Sequence, residues 1–305
     1  MPRTATRDVH GILLLDKARG PSSNRALQQV RELFGAARAG HTGSLDPLAS
    51  GLLPICLGEA TKIAGLLLGA RKAYAAGIRL GLTTATDDAE GAVLVERPVP
   101  ALQLDAVRAV AATFVGQIRQ VPPIYAAIKR DGVPLYRRAR RGEVVEAPPR
   151  EVEIHALQID ACDGDRITLR VECGSGTYIR SLARDLGERL GCGGHLVTLR
   201  RLWVDPFRAP AMRTLDELAA LHERAGQAGL DACLLPLEAG LADWPHVVLG
   251  APEAIALGNG LRVAAPAGLR PGPCLALEAG GRPLALAEVD ADGRLHTRRG
   301  FHWSA

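Results

Sequence analysis

The sequence predicts a two-part α/β (α+β) protein, a large domain of interleaved strands and helices followed by a small terminal β-barrel. Three observations carry this. The chain is 305 residues long, enough for a sizeable core and for two domains. Up to residue 242, apolar runs with strand-like texture are interleaved with amphipathic stretches at helical spacing. After Trp244-Pro245 only short β runs remain, which suits a small barrel. The expected division is therefore 1–242 and 243–305, with an insertion at about 121–150 where the texture changes.

Gly11 to Leu15 is a continuous apolar run and reads as a buried strand. Ser22 or Ser23 can cap a helix reaching Phe34, with Leu27, Val30, Leu33 and Phe34 on its apolar face and Gly35 ending it. A loop from Gly40 to Gly51 follows, then an apolar segment to about Leu68. Residues 73–81 alternate, placing Tyr74, Ala76, Ile78 and Leu80 on one face of a strand. Thr83 to Gly91 is a polar loop with acids at Asp87, Asp88 and Glu90, and a helix is predicted over 102–115.

Val152 to Ile159 and Arg166 to Glu172 read as strands. The second enters Gly174-Ser175-Gly176 and then a helix with Ile179, Leu182, Ala183, Leu186 and Leu190 inward. Strand, glycine-rich turn and helix have the shape of a phosphate cradle, but the third glycine of a dinucleotide fingerprint and the Gly-Lys-Ser/Thr of a P-loop are both absent. Tyr178 and Arg180 stand at the helix start. Thr214-Leu215-Asp216-Glu217 is a capping box. The terminal strands are predicted at His246–Leu249, Cys274–Glu278, Pro283–Val289 and Arg294–Thr297.

Composition excludes some functions. Hydrophobic content of 47% with 23% charged residues fits a globular protein, and no apolar run approaches membrane-spanning length. The six cysteines form no Cys-x-x-Cys pair and no zinc-finger spacing with His, so no metal is expected. The polar N-terminus lacks a signal-peptide core. A cytoplasmic location is expected. The net charge of +4 permits an anionic partner.

Two stretches carry candidate chemistry. In Gly40-His41-Thr42-Gly43-Ser44-Leu45-Asp46-Pro47, a single carboxylate lies among turn-forming residues. Pro47 pushes Asp46 toward an extended backbone, and Gly40, Gly43 and Gly51 are expected to permit turns and close approaches. Asp46 is then either a turn carboxylate bonding its own backbone or a presented catalytic group. The second stretch places Lys129, Arg130, Arg137, Arg138, Arg140 and Arg141 near Tyr125 and Tyr136. That mixture suits phosphate gripping and base stacking, or equally a solvated arginine-rich loop.

Residues 40–62, from Gly-His-Thr-Gly-Ser-Leu-Asp-Pro through Leu-Gly-Glu-Ala-Thr-Lys, resemble the bacterial TruB-type tRNA pseudouridine synthases. Further matching blocks are Leu15-Asp16-Lys17, Lys72-Ala73-Tyr74, Asp88-Ala89-Glu90-Gly91, Pro122-Pro123-Ile124-Tyr125, Gly176-Thr177-Tyr178-Ile179-Arg180 and Leu199-Arg200-Arg201-Leu202. Together they span nearly the whole chain. The resemblance implies a pseudouridine-synthase fold on a mixed, largely antiparallel sheet with a C-terminal PUA-like barrel. It implies isomerisation of the T-loop uridine (position 55) of tRNA, with base flipping.

The same resemblance assigns roles. Asp46 is the implied nucleophile and Arg180 its ion-pair partner. Tyr74 is the implied stacking platform, with a core tyrosine as the structural alternative on the alternation of its strand. Tyr178 and Leu199 would line the base pocket, His41 would hold the flipped-out RNA, and Asp88 would contact the base or orient Arg180. Lys129, Arg137, Arg138, Arg140 and Arg141 would grip phosphates. The implied partner is the T-arm of tRNA, bound by a monomer with no cofactor, guide RNA or obligate protein partner.

Three positions depart from the family's usual residues, Ala18 for Pro, Ala85 for Asp and Ala126 for Ser. The rival is a non-catalytic RNA-binding or tRNA-folding protein on the same scaffold. It predicts a degraded Asp46 loop or a missing Arg180, and both are intact in the sequence. A nucleotide-phosphate enzyme using the Gly174–Gly176 turn is a more distant alternative.

Overall fold

The apolar run at the start of the chain forms strand β1 (Gly11–Lys17), and its texture has a simple cause. Leu13 and Leu15 pack into one core while Ile12 and Leu14 pack into another on the opposite face. A strand buried on both faces reads as continuous apolar sequence. The computed structural model describes residues 6–124 and 147–303, and between them the backbone of 129–130 and 133–134. Tyr125, Ala126, Tyr136, Arg137, Arg138, Arg140 and Arg141 lie outside the described residues, as does the side chain of Lys129.

After β1 come α1 (Ser23–Leu33), β2 (Ala39–His41), β3 (Ala49–Leu57), β4 (Lys72–Leu80), β5 (Leu82–Thr84) and β6 (Val93–Glu96). Then follow α2 (Leu104–Ala112), β7 (Gly116–Gln120), β8 (Lys129–Arg130), β9 (Val133–Pro134), β10 (Arg150–Asp163), β11 (Arg166–Cys173), α3 (Ile179–Arg189), β12 (Gly194–Val204) and α4 (Leu215–Asp231). The terminal part holds β13 (His246–Leu249), α5 (Ala251–Gly258), β14 (Val263–Ala264), β15 (Gly272–Glu278), β16 (Pro283–Val289) and β17 (Arg294–Gly300).

The main sheet runs β1-β3-β12-β4-β11-β10-β7, with β2 also on β3. Only the β12–β3 pair is parallel, so the sheet is mixed and largely antiparallel, as the resemblance implies. Strand β4 buries Tyr74, Ala76, Ile78 and Leu80 on a single face, which is why its alternation was legible. Helices α1, α2 and α3 cover that face through Leu27, Val30, Val107, Leu182 and Leu186.

Ser22 caps α1, its Oγ accepting from the Arg25 N–H at 3.2 Å, while Ser23 is turned inward. The predicted capping box opens α4, with reciprocal bonds between Thr214 and Glu217 at 3.1 and 2.9 Å. Helix α2 is shorter than the predicted 102–115. Thr113 and Phe114 instead turn on bonds to Val110 and Ala111.

The terminal strands form a five-stranded sheet, β13-β15-β16-β17-β14. It fits the PUA-like expectation as an open half-barrel, since no pairing joins β13 to β14. Helix α5 was not predicted. Leu275, Leu277 and Leu286 of this sheet, with Phe301 just past its last strand, share a core with Ile12, Leu14, Leu52 and Cys56 of the main one. Buried Glu59 reinforces that junction. It pairs with Lys62 at 2.5 Å and Arg38 at 2.7 Å and accepts from the His302 N–H at 2.8 Å.

Candidate active site

The loop carrying Asp46 is anchored on both sides. Before it, the Leu45 N–H donates to Ser23 Oγ at 2.7 Å and that hydroxyl donates back to the Leu45 carbonyl at 2.8 Å. After it, the Ala49 N–H donates to the Asp46 carbonyl at 3.0 Å, closing a turn around Pro47, and the Gly20 N–H donates to the Pro47 carbonyl at 2.8 Å. Buried Lys17 adds bonds from Nζ to the carbonyls of Ala49 at 2.7 Å and Ala18 at 2.9 Å. Burial pushes the Lys17 ammonium down to about 8, with Arg201 adding to the fall and the carboxylates of Asp46 and Glu90 opposing it.

Of the three glycines expected to shape this loop, two do so. Gly43 has φ +138°. Gly51 has φ +96°, and a Cβ there would sit 2.2 Å from the Arg201 carbonyl. Gly40 needs neither freedom, lying in β2 with open space where a Cβ would go. That corrects the expectation for Gly40.

Asp46 thus emerges from an anchored loop with its side chain 44% exposed. Its Oδ2 lies 3.0 Å from Nε of Arg180, whose side chain is only 6% exposed. Arg180 stands at the start of α3 because β11, the turn at 174–176 and Tyr178 deliver it there. Its Nη1 donates to the Thr86 carbonyl at 3.2 Å and lies 3.5 Å from Asp88 Oδ2. Buried Asp88 is held in turn by the Thr86 hydroxyl at 2.5 Å and the Glu90 N–H at 3.0 Å. The result is a carboxylate–guanidinium–carboxylate chain with one exposed end.

Tyr74 reaches this site from β4, opposite Val171 on β11 and Arg201 on β12. Burial pushes its phenol upward, and Arg201 opposes that shift. Leu199, two residues before Arg201 on β12, is 9% exposed and lies opposite Ala49 and Ala76, in the same core as Tyr74.

Tyr178 is fixed through its backbone. Gln120, wholly buried at the end of β7, accepts from the Tyr178 N–H at 3.1 Å and donates to its carbonyl at 3.3 Å. The half-buried ring faces the Arg150 guanidinium at 5.7 Å from its centroid, and burial pushes its phenol up. The Gln120 bond also engages a helix-end N–H that a phosphate cradle would need, and the Thr177 hydroxyl is spent on the Gly174 carbonyl at 3.1 Å.

His41 ends β2, with Nδ1 buried and without a hydrogen-bond partner among the described residues. The Oγ1 of neighbouring Thr42 is in the same position. Burial and the Arg201 charge push the imidazole down, which favours its neutral form. Among the described residues no group of three or more His, Cys, Asp and Glu is arranged to hold a metal ion, and all six cysteines are free.

The structure therefore brings together Asp46, Arg180 and Asp88 by direct contact, with Tyr74 and Tyr178 within reach of their charges. Sequence reasoning missed Gln120, and quoted Lys17 and Arg201 only within blocks of the resemblance. A charged residue inside an apolar run, Arg201 beside Leu202-Trp203-Val204, was the signal available for the burial of that arginine.

A model of the TruB family pseudouridylate synthase N-terminal domain matches residues 31–179, and one of the tRNA pseudouridylate synthase B C-terminal domain matches 180–242. A tRNA pseudouridine synthase B from Xanthomonas campestris pv. campestris is 56% identical over 303 residues, covering 99% of this chain and 97% of that protein. Its namesake in Xylella fastidiosa is 54% identical over 304 residues, 99% of each chain. The one from Stutzerimonas stutzeri is 50% identical over 293 residues, 96% of each.

Among solved structures, a Cbf5-Nop10-Gar1 complex aligns with TM-score 0.70 at 26% identity, over 92% of this chain and 78% of that one. An H/ACA RNP bound to a substrate RNA containing 2'-deoxyuridine aligns with TM-score 0.74 at 23% identity, over 96% and 85%, a likeness of fold.

Proposed function

The chain belongs to the TruB family of pseudouridylate synthases, and from that membership we propose that it isomerises the T-loop uridine of tRNA, position 55, with Asp46 as nucleophile. At the coarser level it is a tRNA pseudouridine synthase, an isomerase. The observation that carries the finer reading is the half-exposed Asp46 carboxylate held 3.0 Å from buried Arg180.

Isomerisation breaks the N1–C1′ bond, turns the uracil and forms a C5–C1′ bond. The C5 proton leaves and N1 gains one, so the formula is unchanged and no electron is lost. A carboxylate suits the first step because it attacks the nucleoside or balances the positive charge that develops as the base departs. It acts as an anion, and the Arg180 guanidinium 3.0 Å away supplies the opposite charge beside it. Asp88 holds the far side of Arg180 and orients it.

A uridine inside folded RNA has to be extruded to reach Asp46. Tyr74 stacks on the extruded base and accepts the C5 proton, while Tyr178 and Leu199 line the pocket. The neutral His41, with its unmatched Nδ1, takes a position among the displaced nucleotides. Lys129, Arg137, Arg138, Arg140 and Arg141 grip phosphates from the 121–150 insertion. Residues 1–242 act as the catalytic domain and 243–305 as a PUA-like domain extending the RNA footprint. The enzyme acts as a cytoplasmic monomer without guide RNA or cofactor.

The experiment is an incubation with bare, unmodified tRNA transcript, scored for pseudouridine by position. The expected product is a single pseudouridine in the T-loop. Asp46→Asn should bind the transcript yet lose turnover by about four orders of magnitude or more. Tight binding with no pseudouridine from the unaltered chain would favour the non-catalytic rival.

A further inference from the structure

Arg201 is 1% exposed and heads the largest fully buried side chains among the described residues. A guanidinium does not shed its proton in a protein, so its burial must be met by acceptors. Nε donates to the Leu52 carbonyl at 2.7 Å and Nη2 to the Gly43 carbonyl at 3.0 Å. Among the described residues no carboxylate pairs with it. Its charge acts on the phenol of Tyr74, its cross-strand neighbour.

The backbone fixes this arrangement. Arg201 is registered opposite Tyr74 on β4 and opposite Gly51 on β3, where the strands approach too closely for a Cβ. One side chain thus ties the Tyr74 strand to the loop of Asp46. An already desolvated cation with only neutral acceptors stabilises any neighbouring oxygen that becomes negative.

We propose that Arg201 is a positioning residue for the isomerisation, holding the Tyr74 strand against the Gly43–Asp46 loop and stabilising the phenolate that takes the C5 proton. The inference rests on Tyr74 as proton acceptor, as argued above. In that step the phenol first gives its own proton to solvent, the C5–H bond of the rejoined base then breaks, its electron pair restores the conjugation of the ring, and the C5 proton passes to the phenolate oxygen, so that the net change is one proton released. The groups acting on the phenol are Arg201 from β12, which favours the phenolate, and Cys173 from β11 and Asp46 from its loop, which oppose it.

The chain has four tyrosines, so a 13C label at the phenol carbon gives few signals, and Tyr74→Phe identifies that of Tyr74. In the full-length enzyme, the Tyr74 signal should titrate at higher pH in Arg201→Gln than in the unaltered protein, with Arg201→Lys between them. Turnover should fall about 10- to 100-fold in Arg201→Gln, with tRNA affinity changed less than about threefold. In a Tyr74→Phe background the same substitution should change turnover by less than about threefold.

An unmoved Tyr74 titration, or the full loss repeated in the Tyr74→Phe background, overturns the role of Arg201. Full turnover by Tyr74→Phe overturns instead the proton-acceptor reading beneath it. If Arg201→Gln fails to fold by circular dichroism, Arg201→Lys carries both readouts.

Discussion

Arg180 Nε lies 3.0 Å from Asp46 Oδ2 in a pair whose cation is buried and whose anion is half exposed. The asymmetry has a consequence. The guanidinium is held by the Thr86 carbonyl and faces Asp88, whereas the carboxylate keeps an open side for a substrate. Arg180 therefore has a fixed place even while Asp46 exchanges partners.

Asp88→Asn should expose how much that fixing matters. Asparagine keeps an acceptor for the Thr86 hydroxyl and the Glu90 N–H but removes the charge beside Arg180. Turnover in single-turnover assays should fall about 10- to 100-fold, the worth of one charge-assisted contact. Affinity for tRNA should stay within about threefold. A matching loss of affinity would move Asp88 from orienting Arg180 to contacting RNA.

Tyr74 is both a core residue and a candidate proton acceptor, and two substitutions separate these roles. Tyr74→Phe keeps the packed ring and should cost about 1–3 kcal/mol of stability, with turnover falling about 10²- to 10⁴-fold. Tyr74→Leu should destabilise further by leaving a cavity. Thermal unfolding and turnover, measured side by side, distinguish them; a Phe variant with full turnover would leave Tyr74 as core alone.

Lys17 makes stability depend on pH in a definite direction. Its folded value of about 8 lies below the ordinary 10.5, so between these values the unfolded chain binds more protons. Stability from this group therefore rises with pH across that window. Compared with Lys17→Met, the unaltered protein should gain denaturant resistance between pH 7 and pH 10. Lys72 is also pushed down to about 8 but is common to both proteins and cancels. A relative loss over the same range would contradict the assignment.

Binding to tRNA should weaken as salt rises. Neutralising Arg137, Arg138, Arg140 and Arg141 together should make the plot of log affinity against log salt shallower, by as much as about 3 if each meets one phosphate. An unchanged slope would put the phosphate contacts on other residues.

The sequence revealed some elements and concealed others for physical reasons. Strand β4 and the terminal strands His246–Leu249 and Pro283–Val289 were legible because periodic burial or turn residues mark them. Strand β12 was overlooked. It buries His195 and Arg201, residue types that sequence reading assigns to the surface. Helix α5 was overlooked because eight residues give little periodicity, although Pro252 near its start was a usable cue. At the site, Asp46 stood out by its loop, but spacing alone could not tell a turn carboxylate from a nucleophile. Its pairing with Arg180 came from family resemblance, because contacts between distant segments leave no local pattern.

Gly51 bears on where the proposed adaptation to the RNA occurs. With the Arg201 carbonyl occupying the space of a side chain and Ser23 bracketing Leu45, neither end of the Asp46 loop has slack. The carboxylate is an anchored anvil, and on the proposed reading the work of reaching it falls on the nucleic acid. On the proposed base-flipping reading, a substrate is then selected less by how tightly it binds than by how readily its strand can bend one nucleotide out to that point.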